Sequence, residues 1–386
     1  MSDFPAHLLR ERRVLVCVGA GGVGKTTTAA ALGVAAARAG RRVLLLTIDP
    51  ANRLADALGL PPLSGVATAV PLGSFGETAA GTLTAMRLDA RATFDGLVRR
   101  LASSPAVASA ILANRLYVNI AGNLSASESY MAVEKLYELA TAESADLIIL
   151  DTPPTEHALD FLDAPRRILD VLNSRVLGIL QNPATILTSA GSRLSQMLLG
   201  PILRTLEQFT GLTLLSDVAE FVRAFDGMID GLRERAAAVQ RLLRDPMTAF
   251  VLVTAPSTLA VQRTEAFYQA LQDAHVPCAG LIVNRVLPRE IFGTAARAPA
   301  DGAGMAPPLA GKLAQAYEDL HALALAEYQV VDRLRSRLAL GDRLVEIPAF
   351  SGDVASLRDV VRMADLLTRD VTPVAVAPEP RGVGRL

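Results

Sequence analysis

Short apolar stretches recur along the chain, and segments in which apolar residues follow a helical spacing separate them. These stretches are apolar throughout and do not alternate with polar residues, which is typical of strands that are covered on both faces. The pattern predicts an α/β fold, a doubly wound and mostly parallel sheet with an inserted α-helical subdomain. The seven predicted strands are Val14–Val18, Val43–Ile48, Leu83–Leu88, Asp146–Leu150, Ala249–Val253, Ala279–Val283 and Arg343–Ile347.

Two long helical blocks, at about 89–144 and 155–244, interrupt the strands and are predicted to form the subdomain. The second block contains Val171–Phe221, where charged residues are sparse and Pro and Gly break the pattern into short helices. Such a segment is apolar enough to bind a hydrophobic partner. The alternative is that it packs on the sheet or on another subunit.

The C-terminal part of the chain contains two stretches with weak patterning. Residues 288–311 are rich in Pro, Gly and Ala and predict a flexible loop before a long helix at Lys312–Leu338. Residues 371–386 are predicted to be a disordered tail. We therefore expect one domain over residues 1–370.

Composition narrows the function classes. The 386 residues carry a formal net charge of −1, which argues against bulk electrostatic binding to nucleic acid. The cysteines Cys17 and Cys278 are far apart in sequence and are expected to be buried free thiols. The apolar runs are shorter than the roughly 18 residues that a membrane span requires. We expect a cytoplasmic globular protein without nucleic-acid partners and without a membrane span.

The stretch "VLVCVGAGGVGKTTTAAALG" contains the strongest motif in the chain. Gly19–Thr26 fits the pattern G-x-x-x-x-G-K-[ST], with a strand before it and an Ala-rich helix after it. Backbone N–H groups of such a loop surround phosphates, Lys25 reaches the β- and γ-phosphates, and the Thr26 hydroxyl binds Mg²⁺. The predicted nucleotide-binding residues here are Gly21, Gly22, Val23, Gly24, Lys25, Thr26 and Thr27.

Two aspartates follow apolar strands, Asp49 in "LLLTIDPANRLADALG" and Asp151 in "LIILDTPPTEHALDFL". A carboxylate at such a strand end lies beside a phosphate loop, where it can hold Mg²⁺ through water. Both aspartates are therefore predicted metal-site residues, together with Thr26.

The segments "GAGGVGKTT", "TIDPANRLADALG", "DTPPTEHALDFLDAP", "IVNRV" and "IPAF" resemble those of the ArsA-like ATPases, in the same order. That family includes the arsenite-pump ATPase and the guided-entry ATPase that carries tail-anchored membrane proteins. The segment "AGNLSASESYMAVEKLYEL" is similar to one in a bacterial branch of the family. The resemblance implies Mg²⁺-dependent ATP hydrolysis by a dimer.

The resemblance also implies individual roles. Asp49 matches the aspartate that orients the attacking water and, with Lys25, is a predicted catalytic residue. Asp151 matches the aspartate on the Mg²⁺ side of the site. Asn284 matches the residue that reads adenine, and Pro348 and Phe350 match the loop that packs against the base. These matches favour ATP over GTP.

The chain departs from the family pattern at several positions. The metalloid-binding cysteines of the arsenite enzyme and the zinc-binding CxxC of the tail-anchor carrier have no counterpart here. Position 20 is Ala, where the family has a signature lysine that crosses the dimer interface to the other subunit's phosphates. The resemblance thus favours a heterodimer with a related subunit that carries this lysine. The alternative is a homodimer that hydrolyses ATP slowly or uses an arginine.

Several functions stay open at the level of the sequence. ATP could drive a dimer change that acts on a hydrophobic protein client, such as a membrane protein, or on a transporter. The alternative is an energising or regulatory subunit of an anion-transport or stress-response complex that has no hydrophobic client.

Overall fold

The computed structural model describes residues 4–75, 80–114, 117–118, 128–152, 158–172, 227–288, 307–354 and 356–368. Its centre is an eight-stranded sheet with the order β3-β4-β2-β5-β1-β6-β7-β8. The strands are β1 (Val14–Val18), β2 (Arg42–Thr47), β3 (Thr68–Ala69), β4 (Thr82–Arg87), β5 (Leu147–Asp151), β6 (Thr248–Thr254), β7 (Cys278–Val286) and β8 (Leu344–Pro348).

The sheet is parallel except at one edge, where β3 pairs with β4 in the antiparallel direction. β1 lies between β5 and β6 and pairs with both. The carboxyl ends of these strands therefore meet at the same edge of the sheet, where open α/β sheets bind their ligands. This edge is where the phosphate-loop motif begins.

Helices cover both faces of the sheet, as the uninterrupted apolar strands require. Along β1, Val14, Val16 and Val18 belong to one apolar core, and Leu15 and Cys17 belong to the core on the opposite face. The helices are α1 (Ala6–Glu11), α2 (Lys25–Arg38), α3 (Arg53–Leu58), α4 (Ala90–Leu101), α5 (Pro105–Ala113), α6 (Glu128–Thr141), α7 (Ala158–Leu172), α8 (Ile229–Arg244), α9 (Thr258–Asp273), α10 (Pro307–Leu338) and α11 (Leu357–Thr368).

The two cores have different compositions because different helices fill them. The Ala-rich α2 packs closely against the sheet and against α11, and it buries Ala29, Ala30 and Ala31 completely. On the other face, α6, α7 and α8 contribute larger side chains such as Tyr130, Phe161 and Leu232. Small side chains bring the helix that follows the phosphate loop close to the strands.

The predicted fold class is confirmed, and all seven predicted strands are present with ends shifted by at most a few residues. The short edge strand β3 was not predicted, since two residues leave no recognisable pattern. The predicted loop at 288–311 is wrong at its end, because α10 already begins at Pro307. Proline is accepted there because the first residues of a helix do not donate backbone hydrogen bonds within it.

Other expectations lie wholly or largely outside the described residues. They are the apolar segment Val171–Phe221, most of the loop at 288–311 and the tail at 371–386. The predicted helical blocks correspond, where described, to α4, α5 and α6 in the first block and to α7 and α8 in the second. Among the described helices, none is both long enough and apolar enough to cross a membrane.

Candidate nucleotide site

The phosphate loop connects β1 to α2 and depends on glycine at two positions. Gly22 and Gly24 have φ angles of 78° and 93°, in the left-handed region that favours glycine. Gly24 also caps α2, and its carbonyl accepts hydrogen bonds from the backbone and the hydroxyl of Thr28. The loop therefore ends directly at a helix N-terminus, which carries partial positive charge.

Lys25 is the first residue of α2 and its side chain is buried. Its ammonium group donates a 2.9 Å hydrogen bond to the carbonyl oxygen of Ala20, within the same loop. Burial lowers the pKa of Lys25, and the carboxylates of Asp151 and Asp49 act in the opposite direction. The lysine is thus positioned over the loop by the loop's own backbone.

Asp151 and Asp49 are connected through one hydroxyl group. Thr47, at the end of β2, donates a 3.0 Å hydrogen bond to Oδ2 of Asp151 and accepts one of 3.2 Å from the backbone N–H of Asp49. Burial raises the pKa of Asp151 to about 6, against the hydrogen bonds from Thr26 and Thr47 and the charge of Lys25. The two predicted aspartates therefore form one polar network beneath the loop.

The Asp49 carboxylate has two partners, one in the turn that leads into α3 and one at the start of α3. Its Oδ1 atom accepts a 2.9 Å hydrogen bond from the backbone N–H of Ala51. Its Oδ2 atom lies 3.2 Å from the guanidinium of Arg53, the first residue of α3. This ion pair holds the carboxylate at the mouth of the site.

Asn284 approaches the phosphate loop from β7. Its Nδ2 atom donates a 2.9 Å hydrogen bond to the carbonyl oxygen of Val23, and the side chain is buried. The approach is so close that a Cβ atom on Gly24 would lie 2.2 Å from Nδ2 of Asn284. The amide keeps a second N–H and its Oδ1 atom, which is the donor and acceptor pair that adenine requires.

A cavity of about 1110 Å³ joins these groups. Phe350 lines it after the end of β8, and the Arg362 guanidinium lies 5.0 Å from the centre of the Phe350 ring. Two of the predicted residues do not line the cavity: Val23 is buried in a small apolar cluster with Ala20, and Asp151 is buried at the end of β5. The predicted residues that do line it are Gly21, Gly22, Gly24, Lys25, Thr26, Thr27, Asp49, Asn284, Pro348 and Phe350.

A sequence profile of the anion-transporting ATPases, the ArsA family, matches residues 12–296, which is about three quarters of the chain. The protein belongs to the ArsA ATPase family. The match covers the phosphate loop, both aspartates and Asn284, and it ends before Pro348 and Phe350.

Curated relatives are similar over most of their length. The chain is 27% identical over 278 residues to the ATPase get3 of Sclerotinia sclerotiorum, covering 70% of this chain and 71% of the relative. It is 29% identical over 293 residues to an ATPase ASNA1 homolog of Trypanosoma cruzi, covering 70% and 73%. It is 26% identical over 319 residues to the ATPase ARSA2 of Chlamydomonas reinhardtii, covering 82% and 79%.

The donor atoms near Thr26 fit a bound Mg²⁺. In the described part of the chain, Oδ1 of Asp151 is buried without a hydrogen-bond partner, and Thr26 forms a side-chain hydrogen bond with the same carboxyl group. No group of three or more His, Cys, Asp or Glu side chains in the same part could hold a metal ion on its own. A metal at this place would therefore take its remaining ligands from nucleotide phosphates and water, as Mg²⁺ commonly does.

Several residues of this ArsA-family site were not predicted from the sequence, among them Thr47, Arg53 and Arg285. Thr47 is the one polar residue at the end of an otherwise apolar stretch, directly before Ile48 and Asp49, and that position could have identified it. Arg53 and Arg285 line the cavity, but arginine is common in this chain, so the sequence does not distinguish them.

Proposed function

We propose that this ArsA-family protein binds Mg²⁺ and ATP in the cavity at the phosphate loop and hydrolyses ATP there. One observation carries the proposal. A single cavity is lined by the phosphate loop, by Asp49 and by Asn284, Pro348 and Phe350, which come from distant parts of the sequence. The groups proposed to contact the phosphates, the attacking water and the base thus lie around one cavity at the carboxyl ends of the strands.

Each group has a role in this proposal. Lys25 and the backbone N–H groups of Gly21 to Lys25 bind the phosphates, and Thr27 contacts them from the first turn of α2. Thr26 would hold Mg²⁺ through its hydroxyl group and Asp151 would hold it through water, and the bound ion would neutralise phosphate charge. Asp49 orients the attacking water. Asn284 pairs with adenine between Pro348 and Phe350.

The test is a comparison of wild type with Asp49→Asn. Asparagine keeps the size of the side chain and can still accept the hydrogen bond from Ala51, but it lacks the negative charge. We expect Asp49→Asn to bind a fluorescent ATP analogue as tightly as wild type and to lose turnover by about 100-fold or more. Equal turnover in the two proteins would remove Asp49 from its role. Lack of Mg²⁺-dependent ATP binding by the wild type would overturn the proposal.

We further propose that hydrolysis is coupled to a conformational change in a dimer. The support is family membership, together with Ala20, whose side chain cannot supply the charge that the family's signature lysine supplies. A related partner subunit with that lysine would complete this site as a heterodimer. Addition of such a partner is expected to raise turnover, and the rise should disappear when its lysine is changed to Ala.

In this proposal, the conformational change of the dimer acts on a hydrophobic protein client or on a transport protein. Support for the client comes from the sparse charges of Val171–Phe221, which lies outside the described residues except at its first two positions. A pull-down with the Asp49→Asn variant and ATP separates this function from that of an energising or regulatory subunit without a hydrophobic client. Recovery of membrane proteins supports the client.

A further inference from the structure

Two consecutive residues of β7 contact two consecutive residues of the phosphate loop. Asn284 donates through Nδ2 to the carbonyl oxygen of Val23 at 2.9 Å, and Arg285 donates through Nη1 to the carbonyl oxygen of Gly22 at 3.1 Å. Side chains of neighbouring residues on a regular strand point to opposite faces of the sheet. A regular strand could therefore not make both contacts.

A bulge in β7 explains how both side chains reach the loop. Val283 is opposite Glu346 of β8 and Val286 is opposite Pro348, so Asn284 and Arg285 together face the single residue Ile347. Arg285 adopts a φ angle of 63°, in the left-handed region that residues with side chains rarely occupy. Bulges of this kind redirect side chains and are frequent next to active sites.

The two contacts fix the peptide groups that face the phosphates. The carbonyl of Gly22 belongs to the same peptide plane as the N–H of Val23, and the carbonyl of Val23 shares its plane with the N–H of Gly24. In a trans peptide the C=O and the N–H point in opposite directions, so each of these contacts turns the paired N–H away from the donor side chain of β7. Inward N–H groups are what a phosphate loop needs to bind an anion.

We propose that Arg285 is a positioning residue which, together with Asn284, holds the phosphate loop in its nucleotide-binding conformation before the nucleotide arrives. The proposal deepens the proposed function, because it assigns a role to a residue of the same site. A left-handed arginine is strained, and glycine would remove the strain. Stability alone therefore favours glycine at position 285, whereas the contact with Gly22 requires a long side chain with a donor.

The experiment compares Arg285→Ala, Arg285→Lys and Arg285→Gly in the full chain. We expect Arg285→Ala and Arg285→Gly to bind a fluorescent ATP analogue about tenfold more weakly than wild type, the loss expected for one charge-assisted hydrogen bond. Arg285→Lys keeps a donor and is expected to bind more tightly than Arg285→Ala. Arg285→Gly should unfold at a higher urea concentration than Arg285→Ala although its nucleotide binding is equally weak.

Ala339→Gly is the matched control, because Ala339 also has a positive φ angle, 48°, and lies outside the cavity. It should raise the urea midpoint and leave nucleotide affinity unchanged.

Hydrogen exchange of nucleotide-free protein gives a second readout: residues 20–24 should exchange faster in Arg285→Ala than in wild type. Wild-type affinity and wild-type exchange in Arg285→Ala would overturn the proposal. Absence of nucleotide binding by the wild type would contradict the proposed function, and the exchange experiment would still decide the role of Arg285.

Discussion

The ammonium group of Lys25 donates a hydrogen bond to the carbonyl oxygen of Ala20 over 2.9 Å, and both side chains are buried. The loop thus provides a partner for its own lysine when no phosphate is present. A buried charge without a partner is costly, so this contact stabilises the loop with the Lys25 ammonium group inside it.

Replacing Lys25 with methionine should separate binding from folding. Methionine has a similar length and no charge, so the cost of burying the ammonium group disappears, but Asp151 and Asp49 lose the positive charge beside them, and the urea midpoint should change little. The contacts between the ammonium group and the phosphates are lost, and ATP affinity should fall by about 100-fold. Titration with a fluorescent ATP analogue and urea unfolding measure the two quantities. A methionine variant that binds ATP normally would contradict the role of Lys25.

Alanine at position 24 should weaken nucleotide binding, because its Cβ atom would displace Asn284 from the loop. Its Cβ atom would lie 2.2 Å from Nδ2 of Asn284, and φ at this position is 93°. Gly59→Ala is the matched control, because φ there is also positive, no described atom lies within 4 Å of the added Cβ, and Gly59 does not line the cavity. Both variants should lose about 1 kcal/mol of stability from backbone strain. We expect Gly24→Ala to lose more stability than the control variant and to bind ATP more weakly than the control variant does. Equal effects of the two substitutions would show that strain alone matters.

Asn284 should determine the choice of base. Its free N–H and Oδ1 match adenine and not guanine, and a bidentate contact of this kind is worth about 1–3 kcal/mol of discrimination. Asn284→Ala should therefore weaken ATP more than GTP, although loss of the contact with Val23 weakens both. Phe350→Ala is the control, since a ring contacts either base and its removal should leave the ATP-to-GTP affinity ratio unchanged. Competition binding with the two nucleotides measures this ratio. An unchanged ratio in Asn284→Ala would exclude a base-reading role.

The main features of this fold follow from the sequence, because strands covered on both faces are uniformly apolar and a phosphate loop has an explicit motif. The position of Asn284 beside the loop required the family resemblance, since 261 residues separate it from Val23. The bulge at Asn284 and Arg285 was not predictable, because one additional residue in a strand leaves the pattern of apolar positions almost unchanged. Thr47 was also missed, since its hydrogen bond to Asp151 depends on how β2 and β5 pair.

A buried ion pair in the helical layer makes stability depend on pH. Glu134 of α6 is 0% exposed, and Arg235 of α8 donates to it over 2.7 Å. Burial raises the pKa of Glu134, and the charges of Arg235 and Arg100 counteract this effect. The folded protein therefore binds the Glu134 proton more tightly than the unfolded chain does. Its contribution to stability is greatest below the unfolded pKa of about 4.3 and is lost as pH rises through the folded pKa.

Arg235→Ala removes the main partner of this carboxylate and should increase the dependence on pH. We expect a loss of about 3 kcal/mol at pH 8, where an ionised Glu134 would be buried with only the more distant Arg100, and a smaller loss at pH 5. Urea unfolding at the two pH values measures the difference. The double variant Glu134→Gln/Arg235→Ala is the control, because glutamine cannot ionise and the additional loss at pH 8 should disappear. An equal loss of stability at both pH values in Arg235→Ala would contradict ionisation of Glu134 as the cause of the pH dependence.

Lysine at position 20 tests whether this site lacks a cation from a partner subunit. The Ala20 side chain is 6% exposed and packs against Val23, Val253 and Ala260, so a longer side chain must leave this cluster through the loop. Ala20→Lys and Ala20→Met should both lose about 1–3 kcal/mol of stability by overpacking. Only Ala20→Lys restores the positive charge of the family's signature lysine. We expect this variant to raise the ATP turnover of the chain alone by about tenfold or more, because added cations of this kind stabilise the transition state of phosphoryl transfer. Ala39→Lys, at the exposed residue that follows α2, controls for added charge and should change neither quantity. A folded Ala20→Lys variant with the turnover of Ala20→Met would argue against a missing lysine and would favour a homodimer that uses its own arginines, of which Arg53 and Arg285 already line the cavity.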